Sequence, residues 1–146
     1  MKIYIGSDHA GFELKEKLIP FLHELGHEVE DKGAFTYEAG DDYPDYVKPV
    51  AEAVSQNKDA KGIVLGGSGE GEAMATEDAP GVRTAVWYGG TLEVVRLSRV
   101  HNDANILSLG ARFITEEEAK EAVKLWLETP FSGDERHVRR IAKLDQ

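Results

Sequence analysis

Gly62-Ile63-Val64-Leu65-Gly66-Gly67-Ser68-Gly69-Glu70-Gly71-Glu72 is the stretch on which the fold of this chain turns. Ile63 to Leu65, with Gly62 leading in, are uncharged and mainly β-branched, which predicts a short buried strand. Four glycines and a serine follow within six residues, and Ala73-Met74-Ala75 then resumes a helix-forming composition. A strand, a glycine-rich turn and a helix start expose a row of backbone N–H groups. Such a row holds a phosphate, or any oxygen that is gaining negative charge. The stretch is neither Gly-x-Gly-x-x-Gly nor a phosphate loop closed by Gly-Lys-Ser/Thr. Gly67-Ser68-Gly69 also lacks the Gly-x-Ser-x-Gly frame of a hydrolase elbow. Glu72 is out of place in a pure phosphate site, because its carboxylate repels the ligand. It suits a base that removes a proton while nearby amides hold the resulting enediolate. The plainer alternative is a carboxylate that complements the helix dipole. A capping box does not account for it, since Gly71, not Glu72, stands three residues after Ser68.

Outward from this stretch, strand and helix patterns alternate along the chain. Lys2–Ser7 opens it as a strand, and Asp8-His9-Ala10-Gly11 leads to a helix expected from about Phe12 to Leu25. There Leu14, Leu18, Ile19, Phe21, Leu22 and Leu25 share one face, and Gly26 supplies the stop. His27–Asp31 reads as a second strand, and residues 33–44 as a polar loop ending in Asp41-Asp42-Tyr43-Pro44. A helix from Asp45 to about Asn57 would bury Val47, Val50, Ala51 and Val54. After the central turn come a strand at Arg83–Trp87, a helix at Leu92–Arg99 and a strand at Ile106–Leu109. Thr115-Glu116-Glu117-Glu118 matches a capping box that opens a helix through Leu127. Ser132-Gly133-Asp134-Glu135 matches a second, opening a last helix to about Leu144.

Five strands alternating with helices predict an α/β fold, a five-stranded parallel sheet flanked by helices on both faces. Residues 1–146 read as one domain, without internal repeat or linker. Ligands of such sheets sit beyond the C-terminal strand ends. Asp8-His9, the glycine-rich turn and Gly110-Ala111-Arg112 all follow strands. His101-Asn102 instead precedes the fifth strand, so its position depends on how the preceding helix returns.

Cysteine is absent, which excludes disulfides, thiolate metal sites and a cysteine nucleophile. A formal net charge of −10 argues against a nucleic-acid or anionic-membrane partner. No apolar run reaches the length of a membrane span, and the strand-like N-terminus has no signal-peptide pattern, so a cytoplasmic protein is expected. A phosphate ligand must therefore meet a local concentration of cations, and the chain has one near its end. Arg139 pairs with Glu135 at i,i+4 and is explained as a solvated surface charge. Arg136 and Arg140 share that spacing with like charge, which costs stability unless an anion lies between them. Guanidinium forks match phosphate oxygens; a basic helix end complementing the dipole is the simpler alternative. Only Val138, Ile141 and Leu144 give this helix apolar surface, so residues 132–146 read as an arm that needs a docking surface. His9 and His101 each follow the end of an element, and either alone is more often a satisfied structural histidine. Neither histidine pairs with a carboxylate at metal-ligand spacing such as His-Glu-x-x-His, so the sequence makes no strong metal claim.

Five segments carry a resemblance. They are Gly6-Ser7-Asp8-His9-Ala10-Gly11-Phe12-Glu13-Leu14-Lys15, Asp42-Tyr43-Pro44, Gly66-Gly67-Ser68-Gly69-Glu70-Gly71-Glu72, His101-Asn102-Asp103-Ala104-Asn105 and Arg136-His137-Val138-Arg139-Arg140. In this order they resemble type B ribose-5-phosphate isomerases, a family that also holds galactose-6-phosphate isomerase subunits. The resemblance implies a Rossmann-like three-layer fold, a dimer or tetramer, and metal-free aldose–ketose isomerisation of a sugar phosphate through a cis-enediolate. One branch of the family carries a cysteine base at the position of Gly66. This chain resembles a second branch, with glycine there and a glutamate at Glu72.

On that likeness, Glu72 is the base that shuttles the proton between C1 and C2. Ser68 and the backbone of Gly67, Gly69 and Gly71 hold the enediolate oxygens. His101, with Asp8 nearby, opens the sugar ring; Asn102 binds hydroxyls and Tyr43 lines the pocket. His9, Arg112, Arg136 and Arg140 hold the phosphate, the last two from a neighbouring subunit. Ribose 5-phosphate is the expected substrate. The alternatives are an allose or galactose 6-phosphate, or a sugar-phosphate binding module without catalysis. The chain departs from the family at Ala75-Thr76-Glu77-Asp78, where the usual run is Ala-Ala-Asn-Lys, and in a slightly long Tyr88-Gly89-Gly90-Thr91 segment.

Overall fold

The structure, a computed structural model, describes residues 1–145. Five parallel strands form one sheet in the order β2-β1-β3-β5-β4, with β1 at Lys2–Ser7, β2 at Glu28–Asp31, β3 at Lys61–Gly66, β4 at Thr84–Trp87 and β5 at Ile106–Gly110. The helices are α1 (His9–Glu24), α2 (Pro44–Gln56), α3 (Glu70–Thr76), α4 (Glu93–Val100), α5 (Glu116–Glu128) and α6 (Glu135–Leu144). The expected α/β layering is therefore observed.

Strand alternation sorts the core into two layers. Ile3, Ile5, Ile63, Leu65, Leu107 and Leu109 point to one face and pack with Leu18 and Leu22 of α1, Val95 of α4 and Trp126 of α5. Val64 and Ile106 point to the other face, where they meet Val47, Val50, Ala51 and Val54 of α2. Strands buried on both faces need nearly continuous apolar sequence, which is what Ile63-Val64-Leu65 supplies. Strand order reverses between β1 and β3: the chain goes to one side of β1 for β2 and to the other for β3. A crevice outside the strands' C-terminal ends is expected at such a switch point.

Local signals explain most element boundaries. Gly26, at φ +92°, ends α1 in a Schellman motif. In it the His27 amide donates to Leu22 O at 3.1 Å and the Gly26 amide to His23 O at 2.9 Å. Thr115 and Glu118 form the expected capping box at α5. Two expectations are corrected. Helix α1 starts at His9 rather than Phe12, because the Asp8 carboxylate caps it by accepting the Ala10 amide at 3.0 Å. The second capping box does not form. The Ser132 amide is tied to Val100 O at 3.1 Å and its hydroxyl accepts the Asp134 amide at 3.2 Å, so α6 starts only at Glu135. Of the expected 132–146 arm, residue 146 lies outside the described residues.

Candidate active site

At the switch point a cleft of about 440 Å³ opens, lined by Asp8, His9, Tyr43, Gly67, Ser68, Gly71, Glu72 and Arg112, together with Ala10 and Phe113. Asp8 and His9 enter from the end of β1, the turn from the end of β3, and Arg112 from the end of β5. Tyr43 comes from the start of α2, where its ring lies 2.8 Å from the place a Cβ on Gly71 would take. A larger groove between α2 and α3 is lined by none of the expected site residues.

Glu72 occupies the first turn of α3 and is 4% exposed. Its carboxyl titrates above the ordinary glutamate value. Burial is the main cause and the charge of nearby Asp8 adds to it, while the amides of Glu72 and Gly69 pull the other way. The space it fills exists because residue 66 is glycine: a Cβ there would overlap the Glu72 carboxyl group itself. A side chain at 66 and a glutamate folded back from 72 thus compete for one volume.

The turn is held in shape from below. Gly69 has φ +85°, a conformation that side chains with a Cβ rarely take. The buried Ser108 hydroxyl donates to Gly69 O at 2.7 Å. The Ser68 hydroxyl accepts the Glu70 amide at 3.2 Å, and the amides of Ala111 and Arg112 donate to Gly66 and Gly67 carbonyls at 2.8 and 3.1 Å. Beside the turn, Asp8 is 7% exposed and spends one oxygen on its capping bond.

The remaining expected residues lie elsewhere in the protomer. His101 is the C-cap of α4 and directly precedes the turn into β5. A crossover helix runs antiparallel to its strands, so its C-terminus lies at the strands' N-terminal rim, opposite Glu72. Within one protomer, then, His101 does not stand beside Asp8. Its ring stacks on His137 of α6, with centroids 4.5 Å apart and planes at 22°. Burial and the neighbouring His101 hold His137 below the ordinary imidazole value. Asn102 is exposed next to His101, and Arg136 and Arg140 are exposed on α6. Neither arginine makes an ion pair among the described residues, whereas Arg139 pairs with Glu135 at 2.9 Å as expected. The expected residues therefore form two clusters, one built around Glu72 and one around His101 and α6.

Two residues outside the expected set belong with the cleft. Asp41, from the acidic loop before α2, accepts both the His9 amide at 3.0 Å and His9 Nδ1 at 2.7 Å. Asp8, His9 and Asp41 bring one potential ligand atom each within 4.8 Å of the others; the short Asp41–His9 contact accounts for two of these as a hydrogen bond. Phe113 is 64% exposed at the mouth and meets the Tyr88 ring at a centroid distance of 5.9 Å. The unusual Thr76-Glu77 pair serves the sheet rather than the cleft. Glu77 accepts the Thr84 amide at 2.7 Å, and the Thr76 and Thr84 hydroxyls are 2.7 Å apart.

Comparison with known proteins gives this cleft its context. Residues 3–144 match the sequence profile of the Ribose/Galactose Isomerase family. Ribose-5-phosphate isomerase B of Mycolicibacterium paratuberculosis is 45% identical over 141 residues, 97% of this chain and 87% of that protein. The enzyme of the same name from Escherichia coli is 39% identical, covering 96% and 91%. Among solved structures, ribose-5-phosphate isomerase B from Mycoplasma genitalium with bound ribulose-5-phosphate superposes with a TM-score of 0.94 at 37% identity, over 99% of this chain and 93% of that one. The Thermotoga maritima ribose 5-phosphate isomerase gives 0.91 at 46%, over 99% and 97%. With fold and sequence in agreement along nearly its whole length, the chain belongs to the ribose/galactose isomerase family.

Proposed function

We propose that this protein is a cofactor-free aldose–ketose isomerase that interconverts ribose 5-phosphate and ribulose 5-phosphate through a cis-enediolate, with Glu72 as the base. The observation that carries the reading is the Glu72 carboxyl, buried where a Cβ on Gly66 would stand and lining a cleft shared with Asp8, His9, Ser68 and Arg112. In the forward direction the Glu72 carboxylate takes the proton from C2 of the open-chain aldose. The C2–H electrons form the C1–C2 double bond, and the carbonyl electrons move to O1. Glu72 then returns the proton to C1, while the O2 hydroxyl hydrogen passes to O1 and O2 becomes the ketose carbonyl. A carboxyl that titrates above its ordinary value holds its proton more strongly, which favours abstraction. Ser68 and the amides of Gly67 and Gly71 are assigned to the oxygens on which charge develops, the Gly69 amide being engaged by the Glu72 carboxyl, and preorganised donors of this kind supply the largest stabilisation in such steps.

The active unit is a homodimer, or a tetramer built from it. The Glu72 cluster carries the carboxylates Asp8, Asp41 and Glu72 against Arg112 and His9, too few cations for a doubly charged phosphate. Arg136 and Arg140, with His101 to open the ring and Asn102 to bind hydroxyls, complete the site from a neighbouring copy across a two-fold axis. The arm helix α6, with Val138 and Leu144 exposed, docks on that neighbour. Among the described residues no helix is long and apolar enough to cross a membrane. We place the enzyme in the cytoplasm, a reading that follows from a charged sugar-phosphate substrate.

A panel of aldose phosphates assayed for ketose formation tests the reading. Ribose 5-phosphate should turn over with EDTA present or absent. Glu72→Gln should lose about 10²–10⁴-fold in kcat while still binding substrate. Preference for allose or galactose 6-phosphate would reassign the substrate. Binding without any turnover would leave a sugar-phosphate binding module, and activity retained in Glu72→Gln would move the base elsewhere.

A further inference from the structure

We infer that Asp41 is a positioning residue for phosphate capture: it orients His9 so that Nε2, not Nδ1, serves the anion. This rests on the proposed phosphate role of His9. One Asp41 oxygen accepts two bonds from the same residue, the His9 amide at 3.0 Å and the ring Nδ1 at 2.7 Å. A carboxylate has no proton to give, so Nδ1 carries the hydrogen and the ring is held in one tautomer and one orientation. Nε2 is then the ring nitrogen with no protein partner among the described residues, on a side chain that lines the cleft. When His9 is charged it donates through both nitrogens, to Asp41 on one side and to an anion on the other.

The surroundings support a built arrangement rather than a chance surface pair. The Asp41 side chain is 5% exposed although it comes from a loop, and its second oxygen is buried without a partner. The loop is tied to the end of β1 by the Ser7 amide on Gly33 O and the Ala34 amide on Ser7 O, both at 2.7 Å. Tyr37 of the same loop sets its ring edge-on to His9 at a centroid distance of 6.2 Å. The second carboxylate near the ring, Asp8, is 3.9 Å from Nδ1 and already caps α1. Placing a buried carboxylate beside a phosphate site weakens anion binding by itself. Its presence makes sense if the orientation of His9 gains more than the repulsion loses.

Inorganic phosphate is the probe, followed by titration with the intact protein and by the ¹⁵N shifts of the His9 ring. Wild-type protein should show Nδ1 protonated throughout. Asp41→Ala should lose that signature and weaken phosphate binding about tenfold or more, the size expected for a lost hydrogen bond to a charged group. Asp41→Asn keeps one acceptor oxygen in the same place and should retain the tautomer and most of the affinity. In sugar-phosphate turnover, Asp41→Ala should raise KM and leave kcat within a few-fold. Unchanged phosphate affinity, tighter binding in Asp41→Ala, or an unchanged His9 spectrum would each overturn the assignment. The phosphate and ¹⁵N measurements need no isomerase activity, so failure of the catalytic reading and failure of this one are told apart.

Discussion

Mixed oligomers offer a quantitative test of the proposed shared site, because the protomer divides the proposed site residues between two ends of its sheet. Glu72, Ser68 and Arg112 belong to one cluster. His101 belongs with α6, as its stacking on His137 establishes. If each complete site takes one cluster from each subunit, variants in different clusters should complement and variants in the same cluster should not. Consider Glu72→Gln co-expressed at equal level with His101→Asn. Random pairing makes about half of the dimers mixed, and one of the two sites in each mixed dimer receives an intact cluster from both subunits. Activity should recover to about a quarter of wild type. Glu72→Gln with Arg136→Ala should recover the same fraction. Glu72→Gln with Arg112→Ala, and His101→Asn with Arg136→Ala, should recover nothing, since every site then keeps a defective cluster. A dimer of dimers gives the same fractions if each site spans a single two-fold axis. The assay is ketose formation at substrate concentrations below KM, with mixed dimers confirmed by mass spectrometry. Recovery in the same-cluster pairs, or none in the Glu72/His101 pair, would refute the division of the site between subunits.

Two further outcomes follow from the packing around Glu72. Gly66→Ala should lower kcat about 100-fold, the scale of a roughly 1 Å misplacement, because the new methyl takes the space of the carboxyl. The displaced group is the end of a flexible side chain, so the melting temperature should change little; wild-type kcat in Gly66→Ala would refute the exclusion argument. Glu72→Gln should also raise thermal stability at neutral pH. Burial raises the folded-state value of Glu72, so its contribution to stability is fully present below the ordinary glutamate range and is lost as pH rises through that raised value. The neutral amide escapes the loss, and its advantage over wild type should shrink as pH falls from the raised value toward about 4.3 and be gone below it. An advantage that grows on acidification would contradict the sign.

Much of the fold was legible because its signals are local. The apolar period of α1, the Gly26 stop and the Thr115 capping box each act within one or two turns of chain, so residue order alone specifies them. Ile63-Val64-Leu65 before the glycines marked the central strand and its turn for the same reason. The Glu72 cluster was legible too, since Asp8-His9, the turn and Arg112 all follow strands, and parallel strands bring their C-terminal ends to one rim. His101 carried a readable signal that points the other way: it ends a crossover helix and precedes a strand, which places it at the far rim. Ser132 shows where a local signal loses. Its four-residue pattern is that of a cap, yet a hydrogen bond to Val100, distant in sequence, starts the helix a few residues later.

Asp41 and Asp42 are neighbours of identical chemistry, and nothing in their order says that the first is buried against His9. That difference arises from how the loop is pinned to the end of β1. Likewise, only the packed structure reveals that a Cβ at residue 66 and the Glu72 carboxyl would claim the same space. Local periodicity and capping act over a few residues and are written in the sequence. Which side chains share a buried volume is decided when both faces of the sheet are covered, and that depends on contacts between residues far apart in the chain.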